Sequence, residues 1–246
     1  MRRLYVEPAE FATDEVRITG PRARRLREVL RMRVGAELTV FDGSGLERAA
    51  SVSAIRAGAS GEVTLALGEQ LTPAPEPPVP ITLCCAFPRG SRGDWLVEKA
   101  TEIGVAQLVP LEADRSVMHA GEGRIARWQR IAVEAAEQCG RALIPRFGGE
   151  LPIGATLMVA DPDTTATART LLAALSYAPS AIALHIGPEG GWTPEELAAF
   201  DAAGALRCSL GPRLMRVETA AIVAAAQLLE LTGGLSPADV SPAWLA

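Results

Sequence analysis

Histidine, cysteine and lysine are all scarce in this chain, and each scarcity removes a class of chemistry. Four cysteines, Cys84, Cys85, Cys139 and Cys208, show no C-x-x-C spacing, and only His119 and His185 accompany them. Zinc sites need several such ligands at short spacings, so no metal centre is expected. Three of the cysteines lie in apolar runs and read as buried thiols of a reducing cytoplasm rather than as a disulfide framework. Long hydrophobic runs are missing as well. The longest stretch without charge, residues 170–188, is broken by Pro179 and carries Ser176, Ser180 and His185, which excludes it as a membrane span. Residues 1–11 lack the apolar centre of a secretory signal, so the expected location is the cytoplasm. Three nucleotide and nucleophile motifs are also absent. There is no G-x-G-x-x-G after the first strand of the α/β part, no G-x-x-x-x-G-K-[ST], and no G-x-S-x-G.

Lysine occurs once, as Lys99, so arginine carries nearly all the positive charge. The net charge of −5 argues against a protein that coats nucleic acid. Residues 17–33 run against that balance. They hold arginines at 17, 22, 24, 25, 27, 31 and 33 and one acid, Glu28, a local balance of +6. Arginine grips phosphate with a bidentate fork and stacks on bases. The cluster therefore reads either as an RNA-binding surface or as a solvated helix face.

The 246 residues, 48% hydrophobic and 22% charged, are enough for one medium domain and one small one. Strand-like alternation over 48–55 and 61–67, and a strand running into a turn over 38–43, mark a small β-rich domain at 1–70. A helix over 21–32 is expected inside it, with Ala23, Leu26, Val29 and Leu30 as its apolar stripe. Five prolines within residues 72–80 make residues 71–80 a stiff linker. From 81 to 246, strand and helix patterns alternate. Strands are expected over 81–87, 106–111, 156–160, 181–186 and 206–210, and helices over 94–103, 124–139, 166–175, from 193, and over 217–231. That alternation implies a mainly parallel sheet with helices on both faces.

Two loops stand out. Gly187-Pro188-Glu189-Gly190-Gly191-Trp192 and Leu210-Gly211-Pro212-Arg213-Leu214-Met215-Arg216-Val217-Glu218-Thr219-Ala220 each join a strand to a helix. Glycines there allow close backbone approach to a ligand and expose N–H groups, although plain turn geometry needs them too. Placed on neighbouring strands, the loops would meet at the sheet edge where open α/β sheets bind small molecules. Gly187, Gly190 and Gly191 would supply N–H groups. Leu210, Gly211, Leu214 and Met215 would form an apolar slot, with Ala160 and Asp161 closing a third side. The helix over 217–231 is apolar nearly all round, as expected if it packs on its own sheet and also on a second subunit; complete burial within one chain is the alternative.

These loops resemble the RsmE family of 16S ribosomal RNA (uracil-N3)-methyltransferases, in the SPOUT superfamily. Three further stretches fit the same family: Glu98-Lys99-Ala100-Thr101-Glu102-Ile103-Gly104, the run from Arg127-Trp128-Gln129-Arg130 to Gln138-Cys139-Gly140-Arg141, and Leu30-Arg31-Met32-Arg33-Val34-Gly35 with Phe41-Asp42-Gly43. The similarity spans nearly the whole chain. Glu98 stands where the family often has Gln. His185 stands where an aliphatic residue is expected, beside the ligand loop. The resemblance implies a trefoil-knotted SPOUT α/β domain after a PUA-like barrel, S-adenosylmethionine as the only cofactor, a homodimer, and 16S ribosomal RNA of the small subunit as partner. Uracil N3 must lose a proton before it can attack a methyl group. Arg216 and Glu218 are the candidates for stabilising the anion and accepting the proton. An acid at a helix N-terminus, as Glu218 would be, is also favoured for structural reasons alone. Arg24, Arg27, Arg31, Arg33 and Arg141 are the candidate RNA contacts. Glu134, Gln138 and Arg141 would share one helix face, lining an RNA cleft or forming a structural network, and Lys99 would pair with Glu102. Another RNA target, or a non-catalytic RNA-binding module of ribosome assembly, are the rival readings.

Overall fold

The computed structural model describes residues 2–56, 61–111 and 122–236; His119 lies outside them. Contacts divide the chain into two compact units. One holds the residues up to Ala74 together with Ala136–Ile144, and the other holds Pro75–Ala135 and the described residues from Pro145 on. The sequence pattern gave 136–144 to the second domain.

The first unit is built on strands β1 (Arg3–Tyr5), β2 (Glu15–Thr19), β3 (Glu37–Phe41), β4 (Glu47–Arg56) and β5 (Glu62–Leu71). They form one curled sheet in the order β1-β3-β4-β5-β2, with β1 parallel to β3 and the other pairs antiparallel. Register shifts between β4 and β5 at Arg48/Ala50 and Val52/Ala54 mark bulges, which add twist. One face buries Leu4, Val16, Ile18, Leu38, Val40, Val52, Val63 and Leu65, with Ala23 and Leu26 packed on them. A short helix α1 (Pro8–Phe11) joins β1 to β2.

The arginine-rich stretch departs from the expected helix. It begins as α2 (Gly20–Arg24) and continues as a π-helical turn over Arg25–Val29. A π turn carries one residue more than an α turn, which rotates everything after it. Leu26 stays buried and Leu30 packs against the core as expected, but Val29 is left 71% exposed.

The second unit carries the six-stranded sheet of β6 (Ile81–Cys85), β7 (Gln107–Pro110), β8 (Arg146–Phe147), β9 (Thr156–Ala160), β10 (Ile182–Ile186) and β11 (Leu206–Cys208). Every pairing is parallel, in the order β11-β9-β10-β6-β7-β8. All five residues of β6 and all five of β10 are buried, as fits central strands covered on both faces. The helices are α3 (Ser91–Glu102), α4 (Glu122–Cys139), α5 (Ala168–Ala174), α6 (Pro194–Ala202) and α7 (Val217–Leu231). α6 starts as its sequence indicates: Thr193 caps it, Pro194 follows, and Glu196 returns a bond to the Thr193 N–H at 2.7 Å.

α4 corrects one expectation. Its buried residues are Trp128, Ala132, Ala135 and Ala136, while Ile131 is half-buried and Gln138 exposed. The helix ends at Cys139, where Gly140 turns the chain with φ 87°. Arg141 therefore lies beyond the helix and does not share a face with Glu134 and Gln138.

Candidate functional site

The loops after β9, β10 and β11 converge. β10 and β11 are not neighbours; β9 lies between them, so Ala160 at its end sits centrally rather than closing a side. Above these carboxyl ends is a cavity of about 340 Å³, large enough for one nucleoside-sized ligand. Ala160, Gly187, Gly191, Leu210, Gly211, Leu214, Met215 and Arg216 all line it, with Val217 and Ala220 from the first turn of α7. Gly190 is not among the lining residues.

Trp192 is among the lining residues that the sequence reading did not assign to the cavity. The Trp192 indole forms a wall, and its Nε1–H donates to the Ala160 carbonyl at 3.0 Å. A methyl group on Gly187 would come within 2.9 Å of that ring, so glycine is required there to admit the indole rather than to approach a ligand. Asp161, expected beside Ala160, lines the cavity as well. It is buried and held by Arg207 through bonds of 2.7 and 2.5 Å, which fixes the start of the β9 loop. Trp192 directly follows the glycine pair, and its place in the motif was the available signal.

Of the glycines expected to supply free N–H groups, Gly191 does not: it donates to the Pro188 carbonyl at 2.9 Å, closing its own turn. The Gly187 N–H has no partner among the described residues, and neither do the main-chain N–H groups of Leu214 and Met215. Leu214 is 91% exposed at the rim, an apolar side chain in want of cover. Apolar walls with a few main-chain donors suit an adenosine group.

Arg216 caps α7 at the cavity mouth, exposed and without an ion-pair partner among the described residues. Glu218, two residues on, is buried and does not line this cavity. Its Oε2 has no hydrogen-bond partner among the described residues. The nearest cation, Arg92 Nη1, lies 3.8 Å away, and the same group is 3.7 Å from Glu189. A buried carboxylate oxygen without a donor typically costs about 1–3 kcal/mol. A group kept at that cost is a candidate for function.

His185 lies on β10 but not on the cavity wall. It is buried, with Nδ1 3.3 Å from the Met158 carbonyl and its ring edge-on to Phe200 at 5.0 Å. Burial lowers its pKa below the ordinary value, outweighing two backbone bonds that raise it. The four cysteines are free thiols, and burial pushes Cys84 up to about 12 and Cys208 up to about 11. Lys99 pairs with Glu102 at 2.9 Å and Glu98 at 2.8 Å.

The arginine cluster is only partly committed. Arg24 pairs with Glu28 at 2.7 Å, Arg25 with Glu137 at 2.8 Å, and Arg22 bonds the Tyr5 carbonyl. Arg27, Arg31 and Arg33 have no ion-pair partner among the described residues, and Arg31 sits at φ 50°, unusual for a side chain of that size. Arg141, by contrast, is only 8% exposed, and its carbonyl accepts from Arg3 at 3.2 Å. Its burial is that of a structural residue rather than an open contact surface.

Comparison with known proteins agrees with this geometry. A family model described as an RNA methyltransferase domain matches residues 75–229. The chain is 34% identical to the ribosomal RNA small subunit methyltransferase E of Synechocystis over 92% of its length and 76% of that protein. It is 27% identical to the Bacillus subtilis protein of the same name, covering 91% and 94%. A Legionella pneumophila methyltransferase structure with bound S-adenosylmethionine is 31% identical, covers 93% of this chain and 96% of that one, and gives a TM-score of 0.78. The Neisseria gonorrhoeae ribosomal RNA small subunit methyltransferase E, bound to the same molecule, is 29% identical over 93% and 98%, with a TM-score of 0.77.

Proposed function

The chain belongs to the RsmE family of small-subunit ribosomal RNA methyltransferases, and from that premise we propose that it methylates N3 of a uridine in 16S ribosomal RNA. It is an enzyme of SPOUT type, and its methyl donor is S-adenosylmethionine. The observation that carries the N3 assignment is the pairing, within one helical turn, of an arginine at the cavity mouth and a buried carboxylate oxygen, the first without an ion-pair partner and the second without a donor among the described residues.

The residues fit the donor. The apolar walls of Leu210, Leu214, Met215 and Trp192, with the N–H groups of Leu214 and Met215, would hold its adenosine. When bound, it supplies a methyl carbon on a cationic sulfur, and the C–S electron pair remains with sulfur after transfer. The protein must make uracil N3 nucleophilic. Glu218 would take the N3 proton. Arg216, at the mouth of the cavity, would stabilise the charge that spreads onto the ring oxygens. The base must leave its stack to reach the donor.

Arg27, Arg31 and Arg33 are proposed RNA contacts. Arg24 contributes after release from Glu28, at the small cost of a surface pair. The half-exposed side of α7, with Ile222, Val223 and Ala226, is proposed to meet a second copy of the chain. The knotted topology of SPOUT enzymes belongs to the same proposal. Among the described residues no helix is long and apolar enough to cross a membrane, and a cytoplasmic enzyme fits a ribosomal substrate.

Nucleoside analysis of unmodified small subunits after incubation with enzyme and donor tests the assignment. N3-methyluridine should appear, and Arg216→Ala should reduce it at least about hundredfold with donor binding and melting temperature retained. Product in transfer RNA alone, or a different methylated nucleoside, would refute it.

A further inference from the structure

A second cavity, of about 440 Å³, adjoins the first and shares Arg216 with it. Its other lining residues are Ser91, Arg92, Trp95, Glu218 and Thr219. They come from the first turns of two long helices, α3 and α7. Each helix presents a positive end, so the cavity favours a ligand that carries or gains negative charge. Helix ends alone would not define a site. The buried Glu218 Oε2, with no hydrogen-bond partner among the described residues, is an independent feature, and it belongs to the lining of this cavity rather than the first. A third feature is Trp95. It is 41% exposed on a helix whose Leu96, Val97 and Ala100 are fully buried, and it leaves a large aromatic face open beside two arginines.

We propose that this second cavity receives the acceptor uracil, with Trp95 as its stacking face and Arg92 as the cation that carries the charge of its N3 anion. The proposal rests on the reading of the enzyme as an N3-uridine methyltransferase. A flat ring needs an aromatic face more than a shaped pocket, and Trp95 supplies it. Deprotonation at N3 spreads negative charge onto both carbonyl oxygens flanking that nitrogen. Two separate cations can then serve one oxygen each, and Arg92 and Arg216 are the two in this lining. The N3 proton passes to Glu218, and the electron pair it leaves on the ring forms the new N–C bond. Arg92 already spans Glu189 at 3.7 Å and Glu218 at 3.8 Å, both beyond hydrogen-bond length. Its guanidinium therefore has donors to spare for a ring oxygen.

Steady-state methylation of small subunits, with calorimetry of donor binding, tests the assignment. Trp95→Ala should raise KM for RNA about tenfold or more, and Trp95→Phe should restore most of it. Arg92→Ala should lower kcat about hundredfold with donor affinity unchanged within twofold. Substrate bearing 5-fluorouridine, whose N3 proton is more acidic, should recover more activity in Arg92→Ala and Glu218→Gln than in the unmodified enzyme. Wild-type activity with unaltered kinetics in Arg92→Ala and Trp95→Ala overturns the assignment alone. So does a loss that merely tracks donor affinity, or an equal fluorine effect in every variant. Failure of the wild type to form N3-methyluridine overturns the underlying reading and this assignment with it.

Discussion

His185 shows how one side chain can differ from its expected surroundings and still be accommodated. Its ring is buried on β10, with Nδ1–H directed at the Met158 carbonyl and Phe200 against its edge. Burial holds its pKa below the ordinary 6.5. Above that pH both folded and unfolded chains carry it neutral, and it adds no slope. Below it the unfolded chain takes up the proton first, so stability falls as pH falls until the folded form is protonated too. The limit is about 1.4 kcal/mol per pH unit. Melting curves between about pH 7.5 and pH 5.5 should therefore fall more steeply for the natural chain than for His185→Leu. Parallel curves would show that the folded ring protonates freely. The cavity itself should feel little of this, because His185 is not in its lining.

At the scale of elements, strands and caps were legible and the consequences of their order were not. β9 and α7 begin and end where the apolar pattern places them, and α6 starts at its capping box. Arg146–Phe147 is too short to show period-2 alternation, so β8 escaped notice. The position of β9 between β10 and β11 is a long-range pairing that no local pattern encodes. For the same reason the lining of the first cavity could be listed from its loops. The second cavity could not, since it joins α3 to α7 across more than a hundred residues. The arginine segment failed for a local reason: one π turn moved Val29 outward, and a 3.6-residue period cannot anticipate it. Arg27, Arg31 and Arg33 have no ion-pair partner among the described residues. Replacing these three with Glu should weaken RNA binding and flatten its dependence on salt, because each lost phosphate contact reduces the counterions released. Binding measured at several salt concentrations checks this. An unchanged slope would make the segment a solvated face.

For the whole molecule, the question is what α7 does with its second side. Val217, Ala221, Ala224, Ala225, Leu228 and Leu229 are buried within the chain. Ile222, Val223 and Ala226 are only half covered, while Gln227 and Glu230 are exposed. An apolar strip between a buried face and a polar edge suits contact with another copy, and its alanines allow close helix approach. The same helix opens with Val217 and Ala220 in the donor cavity and Glu218 in the adjoining one. A surface that holds α7 in place would therefore also hold both cavities in shape. Val223→Glu should convert a dimer to a monomer in sedimentation at micromolar concentration. It should also weaken donor binding at least several-fold, although Val223 lines neither cavity. If the variant sediments as the natural chain does, the strip is not the contact. A monomer with full donor affinity would mean that each cavity is complete within one subunit, so that association serves RNA binding instead.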